Sequence, residues 1–288
     1  MNGILLIDKP SGWTSSDVVA KLRGILQERR VGHSGTLDPM ATGLLVVFVG
    51  RATRAVAFAE SHSKRYRACL RLGISTDTQD TSGRVLAERP PASQAALEAV
   101  LPRFLGEQSQ IPPMYSAIKI QGRKLCDIAR RGGEVERPPR KINISALRLV
   151  GREGEDYVLD VSCSKGTYIR TLCADIGAAL GCGGCMSALR RTRAGDFLLE
   201  NASSLDAVQR AADRGEAERL LLPVDSLFMD SPAHRISPAA EKKLRCGNPL
   251  PSGLGEGAYR VYSQSGDFLA LCRAEKGRLI TIKSFFEV

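Results

Sequence analysis

Gly32-His33-Ser34-Gly35-Thr36-Leu37-Asp38-Pro39-Met40-Ala41-Thr42-Gly43 runs straight into the apolar stretch Leu44–Val49. An unbroken apolar run of β-branched character, bounded by glycine, reads as a buried strand. The residues before it read as a loop that delivers one carboxylate, Asp38, to the mouth of that strand. A residue before proline is held in the extended region, so the backbone of Asp38 is set in advance. Glycines on both sides let other groups come close.

Upstream of the loop, Ile4–Asp8 reads as a short strand and Pro10-Ser11-Gly12 as a turn. Ser15 or Ser16 is placed to cap a helix with Val18, Val19, Leu22, Ile25 and Leu26 on one face. Downstream, Ala52–Glu60 reads as a short helix. Lys64–Leu72 alternates, with Tyr66, Ala68, Leu70 and Leu72 on one side and Arg65, Arg67 and Arg71 on the other. Thr76–Gly83 is a polar loop. Residues from about 84 to 140 read as an insertion, with a helix after Ser93, a second over Lys124–Arg131 and a stiff basic end at Arg137-Pro138-Pro139-Arg140. Strands are predicted at Ile142–Leu149, Tyr157–Cys163 and Cys185–Arg193. Between the last two lies a helix carrying Ile169, Leu172, Cys173, Ile176 and Leu180, closed by Gly181. Leu221–Leu227 reads as a linker. Beyond about 232, short strand-like pieces separated by glycines suggest a small β module.

The chain has 288 residues, 43% hydrophobic and 25% charged, enough to bury a core without metal or disulfide staples. Lys plus Arg number 41 against 31 for Asp plus Glu, a net +10 that favours polyanionic partners, nucleic acid above all. The eight cysteines are scattered, several in apolar runs, as suits reduced core thiols. Cys182-Gly-Gly-Cys185 lacks a second ligand pair, so no zinc site is expected. No stretch reaches the roughly 18 apolar residues of a membrane span, and Ile4–Ile7 is too short for a signal peptide. A cytoplasmic protein is expected.

Asp38 is a candidate nucleophile or base, with a turn Asp capping its own backbone as the competing reading of the residues alone. His33 is one of three histidines, suited to packing in a turn or to stacking on a base. Gly166-Thr167-Tyr168-Ile169-Arg170 lies at a strand-to-helix junction. Tyr168 and Arg170 share a face only if that stretch is still extended. An arginine reaching Asp38 would keep its carboxyl ionised.

Several separated segments, in order, resemble the bacterial tRNA pseudouridine synthases of the TruB family. They are Asp8-Lys9-Pro10-Ser11-Gly12-Trp13-Thr14-Ser15, the Gly32–Leu45 loop, Lys64-Arg65-Tyr66-Arg67, Ile111-Pro112-Pro113-Met114-Tyr115-Ser116-Ala117, Cys163-Ser164-Lys165-Gly166-Thr167-Tyr168-Ile169-Arg170 and Leu189-Arg190-Arg191. The similarity runs from the first residues to about 230. It implies an α+β fold: a catalytic domain over 1–230 with a mixed, mainly antiparallel sheet flanked by helices, then a shortened PUA-like RNA-binding module over 231–288.

The resemblance also implies roles. Asp38 matches the essential aspartate. Tyr66 matches the tyrosine that stacks on the target base, Tyr168 a second pocket tyrosine, and Arg170 the arginine paired with the aspartate. Leu189 matches an apolar pocket wall, and His33 the histidine that enters the T-loop as the nucleotide flips out. Lys9 and Pro10 support the loop. The implied reaction converts uridine to pseudouridine at position 55 of the TΨC arm. It transfers no electrons or groups, so no cofactor is required. Asp38 attacking the sugar, attacking the base or abstracting a ribose proton all remain open. The implied partner is tRNA, acted on by a monomer without a protein partner. Two alternatives stand beside this: a guide-RNA-dependent subunit of the related Cbf5 type, and a non-catalytic RNA-binding or RNA-folding module. The clusters Arg65/Arg67/Arg71, Arg137/Arg140 and Arg190/Arg191/Arg193 are candidate phosphate contacts.

Overall fold

The structure, a computed structural model, describes residues 1–120 and 122–287. It divides into two units, one made of residues 1–39, 44–60 and 196 onward, the other of residues 40–43 and 61–195. The architecture is α+β, as the sequence implied.

In the first unit, the strand Thr42–Val49 contributes its apolar part, Leu44–Val49, and pairs antiparallel with Val31–Ser34. The helix Ser15–Leu26 turns Val18, Val19, Leu22 and Leu26 inward. They pack with Leu5, Ile7, Leu45, Val47 and Val49 and with Leu205 and Val208 of the helix Leu205–Asp213. The helix cap is Thr14 rather than Ser15 or Ser16. Its side chain accepts from the Asp17 amide while the Asp17 carboxylate accepts from the Thr14 amide, a reciprocal capping box. Ser15 is buried and employed elsewhere. Thr14→Ala should cost about 1 kcal/mol in urea unfolding. The hydrogen bonds to Thr14 hold the Asp17 carboxyl below the usual range. Its contribution is therefore present at neutral pH and lost as pH falls through that lowered value.

The end of the chain builds its own antiparallel core. Gly257–Tyr262, Phe268–Glu275 and Arg278–Ser284 are adjacent strands, flanked by Ala233–Arg235 and Leu250–Pro251. Leu244 of the helix Pro238–Arg245 seals it with Val261, Leu269, Cys272 and Leu279. That helix and Leu205–Asp213 are elements the sequence reading did not name. The segment read as a linker, Leu221–Leu227, overlaps a 3-10 turn, Val224–Phe228, and Leu222 bridges to Ile4.

The second unit carries five antiparallel strands in the spatial order Gly184–Ala194, Lys64–Leu72, Asp156–Cys163, Arg140–Glu153, Gly106–Gln110. Lys64–Leu72 lies inside this array, which explains its buried alternate face. The helix Ile169–Ala179 packs on Gly184–Ala194. The helix expected over Lys124–Arg131 is shorter, Leu125–Ala129, and a hairpin of Ile74–Thr76 with Val85–Glu88 frames the polar loop.

All eight cysteines are free thiols: Cys246 is exposed, Cys126 half-buried and the rest buried. Burial pushes Cys163, Cys185 and Cys272 up to about 11 and Cys173 higher still. At pH 8 a thiol titrating near 11 is thiolate about one part in 10³ of the time. A thiol reagent added to native protein should therefore label Cys246 first and Cys126 next. Labelling of Cys182 or Cys185 before unfolding would contradict this packing. Among the described residues no helix is long and apolar enough to cross a membrane.

Candidate active site

Asp38 sits in the connection between the strands Val31–Ser34 and Thr42–Val49. Both of its neighbours are tied down. The Leu37 amide donates to Ser15 Oγ at 2.9 Å, and Ser15 Oγ lies 3.3 Å from the Leu37 carbonyl. The Pro39 carbonyl accepts from the Gly12 amide at 2.8 Å and from Lys9 Nζ at 3.2 Å. Lys9 is wholly buried, and its ammonium also donates to the carbonyls of Pro10 (2.9 Å) and Trp13 (2.6 Å). A buried ammonium is tolerable only when its protons are satisfied in this way. Lys9 thus welds the Pro10–Trp13 turn to the residue after Asp38, leaving the half-buried carboxylate on a fixed backbone. His33 lies on a strand opposite Val47, not in a loop. The Leu44–Val49 run dictates that pairing, which the short Val-Gly-His-Ser segment does not announce by itself.

The other candidates belong to the second unit. Tyr66 pairs with Arg191 on one side and Val161 on the other, and Leu189 pairs with Ala68. Directly paired residues project to the same face of a sheet, as do residues two apart. Tyr66 and Leu189 therefore share one face with Arg191, all three buried. Beside Arg191, Gly43 lets the paired backbones approach: at φ +97 its missing Cβ would stand 2.4 Å from the Arg191 carbonyl oxygen.

On the opposite face, Arg65 forms a two-pronged pair with Asp160, and Arg71 pairs with Asp156 at 2.7 and 3.2 Å. Ser187 Oγ adds 2.7 Å to Asp156. Two of the three arginines in the Arg65/Arg67/Arg71 cluster are thus matched by carboxylates, and Arg191 of another cluster is buried rather than part of a basic surface. Arg137 likewise pairs with Glu134 at 3.2 Å.

Tyr168 is the N-cap of the helix Ile169–Ala179, with φ −97 and ψ 110. Its extended backbone is clamped by buried Gln110, whose side chain accepts from the Tyr168 amide at 2.8 Å and donates to its carbonyl at 3.1 Å. Arg170, already helical, is 4% exposed. Its guanidinium donates to the carbonyls of Thr78 (3.0 Å) and Tyr115 (2.7 Å) and faces Asp80 Oδ2 at 3.8 Å. Asp80 is itself buried, with Oδ1 accepting from Thr78 Oγ1 at 2.7 Å and from Ser82. The sequence reading missed Gln110 and Asp80. The Asp77-Thr78-Gln79-Asp80 spacing signals a turn, but nothing local to it announces an arginine partner.

A carboxylate on a rigid turn and a sheet face bearing an aromatic ring and an apolar wall are parts suited to a ring-shaped substrate. Comparison with known proteins decides among such chemistries. The family model described as TruB family pseudouridylate synthase (N-terminal domain) matches residues 23–169, and tRNA pseudouridylate synthase B C-terminal domain matches 170–229. The chain belongs to the TruB family. It is accordingly an enzyme, a pseudouridylate synthase, which is an isomerase. The tRNA pseudouridine synthase B of Thiobacillus denitrificans is 45% identical over 97% of this chain and 94% of that protein. The one from Azoarcus sp. is 44% identical over 97% and 93%. Among solved structures, a chain from a Cbf5–Nop10–Gar1 complex is similar with a TM-score of 0.75 and 27% identity, covering 99% of this chain and 85% of that one. A chain from an H/ACA RNP bound to a substrate RNA containing 2'-deoxyuridine gives 0.74 and 26%, with the same coverage. The sheet-dominated mixed fold of this TruB member is thus that of the Cbf5 chains, while its nearer sequence relatives carry the tRNA enzyme's name.

Proposed function

We propose that this TruB-type tRNA pseudouridine synthase isomerises the uridine at position 55 in the TΨC arm, with Asp38 as the essential carboxylate. The observation that carries this reading is the fixing of Asp38 from both sides, Leu37 by Ser15 and Pro39 by Lys9 and Gly12. A turn aspartate serving only its own backbone needs no buried ammonium bracing the residue beside it.

In the reaction the N1–C1′ bond breaks, uracil turns, and C5 bonds to C1′. C5 then loses its proton and N1 gains one, so the product is an isomer and no cofactor enters. Positive charge develops at the sugar as the glycosidic bond stretches, and an ionised Asp38 stabilises it. Arg170 is the arginine that the family resemblance assigns to that carboxylate. Tyr66 stacks on the freed base, with Tyr168 beside it and Leu189 as an apolar wall, so the uracil stays while it turns. His33 occupies the space left by the flipped nucleotide, offsetting part of the few kcal/mol of unstacking. The catalytic domain spans residues 1–230 with its insertion at about 84–140, and the 231–288 module is PUA-like and adds RNA contacts. The enzyme works in the cytoplasm as a monomer, without guide RNA.

The test is nucleotide-resolution mapping of an unmodified tRNA transcript incubated with the purified protein in EDTA. One pseudouridine at position 55, without guide RNA or any second protein, is expected. Product formed only after adding guide RNA and partner proteins would instead assign the chain to the Cbf5 mode.

A further inference from the structure

Arg170 is gripped by a short loop, and the loop is gripped in turn by the residue after Arg170. Thr171 Oγ1 donates to Gln79 Oε1 at 2.7 Å, and Thr171 is 4% exposed. Gln79 stands between the two loop residues that meet the guanidinium, Thr78 through its carbonyl and Asp80 through its carboxylate. Its backbone is left-handed, with φ +65. A non-glycine residue in that region carries strain unless its surroundings hold it there. The Gln79 amide donates to the Thr76 carbonyl at 3.3 Å, and further contacts hold the turn. The Met186 amide donates to the Gln79 carbonyl at 3.0 Å, the Thr81 amide donates to the Met186 carbonyl at 3.0 Å, and Thr171 ties the side chain. Packing does not do the work alone, because Gln79 borders a cavity of about 360 Å³ lined also by Ser75, Thr76, Arg89 and Gly183.

We infer that Gln79 and Thr171 form a positioning pair that fixes Arg170 for catalysis. Consecutive residues of one helix, Arg170 and Thr171, thereby fasten the same turn, one by charge and one by a neutral hydrogen bond. The left-handed turn at Gln79 aims the Thr78 carbonyl and the Asp80 carboxylate at one guanidinium nitrogen. Should the turn relax into the cavity, both partners leave Arg170 together. Misplacement of a catalytic group by about 1 Å commonly costs on the order of 10²-fold in rate. The inference rests on the role proposed above for Arg170.

The experiment measures single-turnover pseudouridine formation, tRNA affinity and melting temperature for Thr171→Val, Thr171→Ser, Gln79→Met, the Thr171→Val/Gln79→Met double variant and Arg170→Lys. Thr171→Val keeps shape and removes the donor; Thr171→Ser keeps the donor and removes a methyl. The expected result is a rate about 10-fold lower or more in Thr171→Val and Gln79→Met, with tRNA affinity within about 2-fold. Thr171→Ser should retain most of the rate, and the double variant should be no worse than either single one. Packing alone would give the reverse order, with valine active and serine impaired, and that order would overturn the inference. Wild-type rates in Thr171→Val and Gln79→Met beside an impaired Arg170→Lys would also overturn it while sparing the role of Arg170. A wild-type rate in Arg170→Lys would remove that role and the inference with it.

Discussion

Asp38→Asn is expected to reduce pseudouridine formation by more than about 10⁴-fold, the scale seen when an enzyme loses an essential charged group, while tRNA affinity changes little. Asparagine is nearly isosteric. The anchors on either side are backbone groups of Leu37 and Pro39 and owe nothing to the Asp38 carboxylate. The turn should therefore keep its shape, and the loss should fall on the chemical step rather than on binding. Single-turnover kinetics beside a filter-binding titration separates the two. Residual turnover within about 10-fold of the parent would remove Asp38 from the mechanism, since no neutral amide replaces the charge that a developing oxocarbenium demands.

Lys9→Met should produce the second largest effect by a different route. Methionine fills much of the same volume but leaves the carbonyls of Pro10, Trp13 and Pro39 without the ammonium that serves all three. A buried acceptor that loses a charged donor costs roughly 1–3 kcal/mol. Lower stability in urea unfolding is therefore expected, of about that size or somewhat more. With Pro39 loosened, Asp38 loses its fixed bearing, and turnover should fall by about 10²-fold. Binding of tRNA should persist, because Lys9 is wholly buried and offers nothing to phosphate. Stable protein with undiminished turnover would show that the catalytic turn is held by Ser15 and Gly12 alone.

The parts of this fold that were legible in the sequence are those where one period dominates. Leu44–Val49 is apolar throughout because it is buried throughout. Lys64–Leu72 alternates because one face of that strand lies in the core. The expected cap of the first helix, Ser15 or Ser16, comes one or two residues late because Thr14, Ser15 and Ser16 offer three hydroxyls in a row. Thr14 takes the cap while Ser15 is drawn to Leu37, a contact between residues far apart in the chain. Leu205–Asp213 went unread because only Leu205, Val208 and Ala211 are buried in it, too few to stand out. The candidate side chains were legible through family resemblance, whereas their supports were not. Asp80 and Gln79 sit in a stretch whose composition says only that it turns, and Gln110 reaches Tyr168 across 58 positions. Such supports are set by tertiary approach, which a local pattern does not encode.

The pairing of Arg65 with Asp160 and Arg71 with Asp156 bears on how this protein should respond to ionic strength. An arginine whose charge is already balanced by a carboxylate displaces fewer counterions from RNA, so it adds less to the slope of log affinity against log salt concentration. That slope should fall short of what 41 basic residues suggest. Discrimination among folded RNAs would then persist in salt that strips away purely electrostatic binders.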